Sequence, residues 1–112
     1  DASVREMIYC PPIVAKKGEI CIPDTVINIG RSAFTGCVSL KKVVLPKGLK
    51  FISRNAFSGC TQLEEILIPQ TVEEIADWCF SGCTSLKKAY IPKHIKILPN
   101  VFKYSKAEII RI

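Results

Sequence analysis

From Leu40 to Pro46 the chain reads LKKVVLP, and its apolar positions keep the spacing of an extended segment. Leu40, Val43 and Leu45 point to one side and Val44 to the other, as the period of two in a short strand requires. Pro46 ends the strand because it has no N–H to give to a neighbouring one. Leu49 and Ile52 then supply a second inward pair after a turn. Ala56 and Phe57 fall on the inner side of a short helical or 3₁₀ turn, which Gly59 ends in the left-handed conformation. Cys60 follows, and Leu63 begins the cycle again.

The cycle repeats with a fixed period. Ile22-Pro23, Leu45-Pro46, Ile68-Pro69 and Ile91-Pro92 are spaced by 23 residues, as are Phe34, Phe57 and Phe80, and Gly36-Cys37, Gly59-Cys60 and Gly82-Cys83. A fixed period of this size means a solenoid, in which one turn cannot bury its apolar face alone and stacks on the next. The expected fold is an α/β, right-handed solenoid of four to five turns of 23 residues. A parallel sheet lies on one face, with short extended pieces and single helical turns elsewhere, and like residues stack about 4.8 Å apart.

The pattern L-x-x-V-x-I-P-x-x-V-x-x-I-x-x-x-A-F-x-G-C, nearly complete in three repeats between Ile20 and Ile91, resembles the BspA-like, Treponema-type leucine-rich repeat family. Ile8-Tyr9-Cys10-Pro11 echoes Ile20-Cys21-Ile22-Pro23, similar to the degenerate opening turn of such domains. The closing turn departs from the pattern: Phe102 falls one residue early, Ser105 and Lys106 stand for Gly-Cys, and no Pro follows EIIRI. A single domain is therefore expected over 1–112, with 1–19 as the opening turn, 20–91 as regular repeats and 92–112 as the closing turn. The resemblance implies extracellular or cell-surface proteins of bacteria and some protists that serve adhesion and protein binding.

Composition narrows the alternatives. With 48% hydrophobic and 23% charged residues the chain is globular, not disordered. No apolar run approaches the roughly 20 residues of a membrane span, so no membrane insertion is expected, and the N-terminal stretch is not a signal peptide. The chain starts at Asp1 without a Met, which leaves room for an upstream leader or domain.

A net charge of +6 raises the question of nucleic acid, and the placement of the charges answers it. Residues 38–60 carry five bases and no acids, 61–83 five acids and no bases, and 84–106 six bases and no acids. Stacking sets Lys41 beside Glu64 and Lys87, Lys42 beside Glu65 and Lys88, Lys50 beside Glu73 and Lys96, and Arg54 beside Asp77. Opposite charges on neighbouring strands stabilise and like charges destabilise, so the alternation fixes register. A phosphate backbone asks for an unbroken basic stripe, and five acids interrupt this one, so no nucleic-acid partner is expected.

Cys37, Cys60 and Cys83 share one repeat position and are expected as a column of free, buried thiols, with Cys79 a small core residue where Ala33 and Ala56 stand. Disulfides stay open as the alternative, since stacked turns bring Cα atoms within the permitted range of about 4.4–6.8 Å, but parallel Cβ vectors and a column of three argue against them. CFSGC is half a zinc site at most, since no second pair follows and His94 is the only histidine. No cofactor is expected. His94 reads as an exposed turn residue, and no nucleophile motif or phosphate loop is present, so an enzyme is not expected.

The outward strand positions carry the functional signal. Cys21, Val44, Leu67 and Tyr90 are apolar or amphipathic where a plainly solvated face would carry Ser, Thr or Lys. Glu19, Lys42, Glu65 and Lys88 run beside them with alternating sign. An apolar stripe edged with ordered charge fits a protein or glycan ligand, with Tyr90 as anchor and Lys42, Glu65 and Lys88 as the polar rim. Phe51, Trp78 and Ile97 are partly exposed positions elsewhere. A structural spacer, or one section of a longer array with further repeats at either end, is the alternative.

Overall fold

The computed structural model describes residues 18–112 together with the strand at 6–7. Among the described residues nine short strands follow in chain order: β1 (Glu6–Met7), β2 (Glu19–Cys21), β3 (Asn28–Ile29), β4 (Lys42–Val44), β5 (Phe51–Ile52), β6 (Glu65–Leu67), β7 (Glu74–Ile75), β8 (Lys88–Ile91) and β9 (Glu108–Arg111). They form two sheets, ordered β2-β4-β6-β8-β9 and β1-β3-β5-β7. Every pairing among these strands is parallel, as a coil that returns to the same side once per turn demands. The short extended pieces seen in the sequence are thus themselves a sheet.

The core is made of repeat columns. Leu40, Leu63 and Leu86, and Ile22, Leu45, Ile68 and Ile91, are buried, while Val44 between inward neighbours is 48% exposed. Phe34, Phe57, Phe80 and Phe102 stack face to face at centroid distances of 5.1, 5.4 and 5.5 Å. Burying such rings in contact both removes apolar area from water and adds aromatic pairing.

The single helical turns are replaced by runs of tight turns. Ala33 N donates to Gly30 O, Thr35 N to Ser32 O and Cys37 N to Phe34 O, all bonds across three residues. Ser32, Asn55 and Trp78 have φ of 58°, 61° and 66°, and Gly36, Gly59 and Gly82 have φ of 69°, 74° and 72°. A residue in the left-handed region every four positions stops a right-handed helix from propagating. The N–H groups so released bond instead to the adjacent turn of the coil, as Phe34 N does to Ala56 O at 2.7 Å. The tight turns therefore form a third ladder.

The closing turn keeps the phenylalanine stack with fewer residues than a full period. Phe80 N donates to Val101 O and Gly82 N to Lys103 O, repeating the bonds of Phe57 N to Cys79 O and Gly59 N to Ser81 O. Phe102 therefore lies in the phenylalanine column although it is one residue early. Tyr104, with φ of 63°, takes the glycine position, and Ser105 takes the cysteine position by donating its N–H to Phe102 O. Tyr104-Ser105, not Ser105-Lys106, stand for Gly-Cys. Glu108 pairs with Lys88 after only 20 residues, and β9 is a full strand of the sheet.

Side chains close the turns after the prolines. Thr71 Oγ1 lies 2.7 Å from the carbonyl oxygens of both Lys47 and Leu49 and shares its proton between them. One turn later His94, exposed as the sequence implies, donates from Nε2 to Val72 O at 2.8 Å. Arg111 Nη2 then reaches the carbonyls of Pro92, Lys93 and Ile95. The expected echo at Ile8-Tyr9-Cys10-Pro11 lies outside the described residues.

Candidate functional site

Outward side chains of β4, β6 and β8 line a groove of about 680 Å³ across the five-stranded sheet. Val44 (48% exposed), Leu67 (60% exposed) and half-buried Tyr90 form its apolar floor, with Pro69 beside them. Lys41, Lys42, Lys47, Glu64 and Glu65 edge it. Of the residues picked from the sequence, Lys42, Val44, Glu65, Leu67 and Tyr90 meet in the groove. Cys21 pairs with Val44 at the end of the same column but is not part of the groove lining, and neither is Lys88.

Register confirms the column order and extends it. Cys21 faces Val44, Leu67 faces Tyr90, and Tyr90 faces Ile110. Glu19 faces Lys42, Lys42 faces Glu65, Glu65 faces Lys88, and Lys88 faces Glu108. The sequence reading missed Glu108 and Ile110 because the closing turn abandons the 23-residue period that locates equivalent positions. It also missed Lys47, which sits just past the strand-ending Pro46.

Alignment of charge does not become contact. Among the described residues the single ion pair within 4.0 Å is Lys50 Nζ to Glu73 Oε2 at 3.7 Å, between two exposed side chains. The expected meeting of Arg54 with Asp77 does not occur. Asp77 Oδ1 accepts from the Trp78 and Asn100 N–H groups and Oδ2 from Asn100 Nδ2, at 2.9 to 3.1 Å, so this carboxylate pins the backbone. The charges at the rim of the groove make no ion pair among the described residues.

The cysteines divide. Cys60, Cys79 and Cys83 are buried and free. Their thiols donate to the carbonyls of Phe34, Ser53 and Phe57, respectively, at 3.0 to 3.1 Å. Burial pushes the thiols of Cys60 and Cys79 up to about 12 and that of Cys83 to about 11. Such groups are protonated and poor nucleophiles. Cys37 corrects the expected column of three: it is disulfide-bonded. A repeat position fixes where a side chain points, but a disulfide depends on what lies opposite, which periodicity does not encode. Cys21 is free and exposed. Among the described residues no group of three His, Cys, Asp or Glu side chains is placed to hold a metal, and no helix is long and apolar enough to cross a membrane.

Two parallel sheets wound on a 23-residue repeat around stacked phenylalanines define a parallel β-solenoid of the leucine-rich-repeat class. The family model for the BspA type leucine rich repeat region, in six copies, matches residues 15–112, and the chain belongs to that family. Among solved structures it is similar to a leucine-rich cell surface protein of Faecalibacterium prausnitzii, at 28% identity and a TM-score of 0.77 over 84% of this chain and 26% of that one. A leucine-rich repeat protein of Bacteroides capillosus is 36% identical, with a TM-score of 0.60 over 71% of this chain and 54% of that one. The pneumococcal vaccine antigen PcpA is 25% identical, with a TM-score of 0.67 over 85% of this chain and 30% of that one. The chain thus spans between about a quarter and just over half of these proteins. No curated protein matches it.

Proposed function

We propose that this chain is a non-enzymatic binding module of a cell-surface or secreted protein, and that the groove over β4, β6 and β8 receives a protein partner. The observation that carries this reading is the exposure of Val44 and Leu67, at 48% and 60%, in one concave strip edged by charges that make no ion pair among the described residues. Exposed apolar side chains in register, beside half-buried Tyr90, are the composition of an interface centre with a polar rim. Adhesion is the role this reading favours, in keeping with the surface location stated for one of the similar proteins.

A structural section of a longer array is the second reading, favoured by one residue. Ile109 pairs with buried Ala89 yet is 39% exposed, so another turn stacked on β9 would cover it.

The test is a double change, Leu67→Ser with Tyr90→Ser, in surface plasmon resonance against a panel of immobilised serum and extracellular-matrix proteins. Neither side chain is part of the buried core, so the melting curve should stay close to that of the parent. Loss of an aromatic anchor and its neighbour should weaken the captured ligand by about 30-fold, equivalent to roughly 2 kcal/mol. Trp78→Ser, outside the groove, should leave that ligand bound. Loss of binding in the Trp78 variant alone would place the interface elsewhere on the solenoid. An absence of ligands throughout the panel would favour the structural reading.

A further inference from the structure

On the four-stranded sheet a second cleft, of about 620 Å³, opens between the ends of β3, β5 and β7. Asn28, Arg31, Phe51, Ser53, Arg54 and Glu74 line it. Asn28 pairs with Phe51 and Phe51 with Glu74, so these three follow one another across the sheet. Arg31 and Arg54 stand three residues beyond Asn28 and Phe51, in the tight turns, and the Ser32 N–H bonded to Arg54 O at 3.0 Å fixes them on adjacent turns.

Two like charges one turn apart, about 4.8 Å between backbones, are destabilising unless something answers them. The sequence offers Asp77 as the answer, and the structure takes Asp77 away to hold Asn100 and Trp78. Both arginines are exposed, and neither guanidinium has an ion pair or a side-chain hydrogen bond among the described residues. Beside them Phe51 is 41% exposed, a flat apolar surface next to two planar forks of donors.

We propose that this cleft binds a singly charged acidic sugar, such as a terminal sialic or uronic acid of a glycan. The guanidinium forks match the planar carboxylate, each able to donate two parallel hydrogen bonds. The Phe51 ring offers its face to the C–H groups of the sugar ring. The Ser53 hydroxyl, which donates to Asn28 Oδ1 at 3.1 Å, leaves oxygen lone pairs for sugar hydroxyls. Glu74 decides between classes of anion. Its carboxylate accepts hydrogen bonds from neutral hydroxyls but repels a second negative group, and the cleft therefore discriminates against dense polyanions and acidic peptides. This site is separate from the groove on the other sheet and stands or falls without it.

Saturation-transfer NMR and calorimetric titration with sialyllactose and with a glucuronic-acid disaccharide test the assignment, with lactose as the neutral comparison and heparin and a polyglutamate peptide as other anions. Both acidic sugars should bind, and lactose should bind at least about tenfold more weakly, since a charge-assisted pair is lost. Arg31→Lys with Arg54→Lys keeps the charge but removes the forks, and should also cost about tenfold. Phe51→Ser should remove saturation transfer to the sugar-ring protons, whereas the Leu67→Ser and Tyr90→Ser double variant should bind as the parent does. All three substituted cleft positions are exposed, so their melting curves serve as the check on folding. The assignment is overturned by failure of both acidic sugars to bind, by tighter binding of heparin or polyglutamate, or by unchanged affinity in an Arg31→Ala, Arg54→Ala variant.

Discussion

Cys60, Cys79 and Cys83 show how a side chain with weak hydrogen-bonding power is put to structural use. Each donates its thiol to a carbonyl of the preceding turn, in a core where no water reaches. The folded chain holds these protons up to a pH of about 11 to 12, whereas the unfolded chain releases them around the ordinary value of 9.0. Below that value both states are protonated and the stability is fully present. Above it the unfolded state binds fewer protons than the folded one, so stability falls as the pH rises. At one pH unit above the unfolded value, each thiol should cost about 1 kcal/mol. Cys79→Ala places in this turn the residue that Ala33 and Ala56 supply in the two before it, so it should fold. Urea unfolding at pH 8 and pH 10 should show a smaller alkaline loss for this variant than for the parent, by about that 1 kcal/mol. Every other side chain is common to the two proteins, so the comparison isolates the thiol. Equal losses in the two would mean that the thiols do not carry the alkaline dependence.

At the scale of the element, the tight-turn segment shows what the repeat can and cannot encode. Gly36, Gly59 and Gly82 hold a left-handed backbone, and Tyr104 holds the same one in the closing turn with its side chain 75% exposed. An L-residue pays roughly 1–2 kcal/mol there. A Cβ added at Gly82 would meet only Gly59 backbone atoms at 3.6 and 3.7 Å, an ordinary contact, so Gly82→Ala reports the backbone term alone. It should lower stability by about 1 kcal/mol, while Tyr104→Gly should raise it. Chemical denaturation of both variants checks the opposed signs, and the same sign in both would refute a shared conformation. The inward positions of this segment were legible because Ala56 and Phe57 recur in kind every 23 residues, and the left-handed glycine was legible with them. The absence of helix was not, because Ser32, Asn55 and Trp78 have no chemistry in common that announces a positive φ. For the same reason Glu108 and Ile110 escaped notice: only hydrogen bonds show that three residues have been dropped from the closing turn. Of the candidate groove, the floor was legible from strand alternation. The rim at Lys47 was not, since it depends on how the chain leaves Pro46.

Across the whole molecule, apolar columns decide that the turns stack and charge decides which turn stacks on which. The phenylalanine and leucine columns are nearly identical from turn to turn, so by themselves they accept any order. The column Glu19, Lys42, Glu65, Lys88 and Glu108 changes sign at every step, and a displaced turn sets like charges side by side. Since Lys50–Glu73 is the one ion pair within contact distance among the described residues, this preference acts through the field of exposed groups and not through bonded pairs. It should therefore be screened, because the Debye length falls from about 30 Å at 0.01 M salt to about 3 Å at 1 M. Removing residues 61–83 tests this directly. One full period is lost, every inward column stays in phase, and Lys41, Lys42 and Lys50 come to lie beside Lys87, Lys88 and Lys96. The shortened chain should retain the circular-dichroism signature of the sheet, and its melting temperature should rise with salt. A second shortened chain carrying Lys41→Glu, Lys42→Glu and Lys50→Glu should melt higher than the first in dilute buffer, and the two should converge at 1 M salt. If they melt together in dilute buffer as well, the apolar columns alone set the register, and the alternation of charge from turn to turn has another purpose.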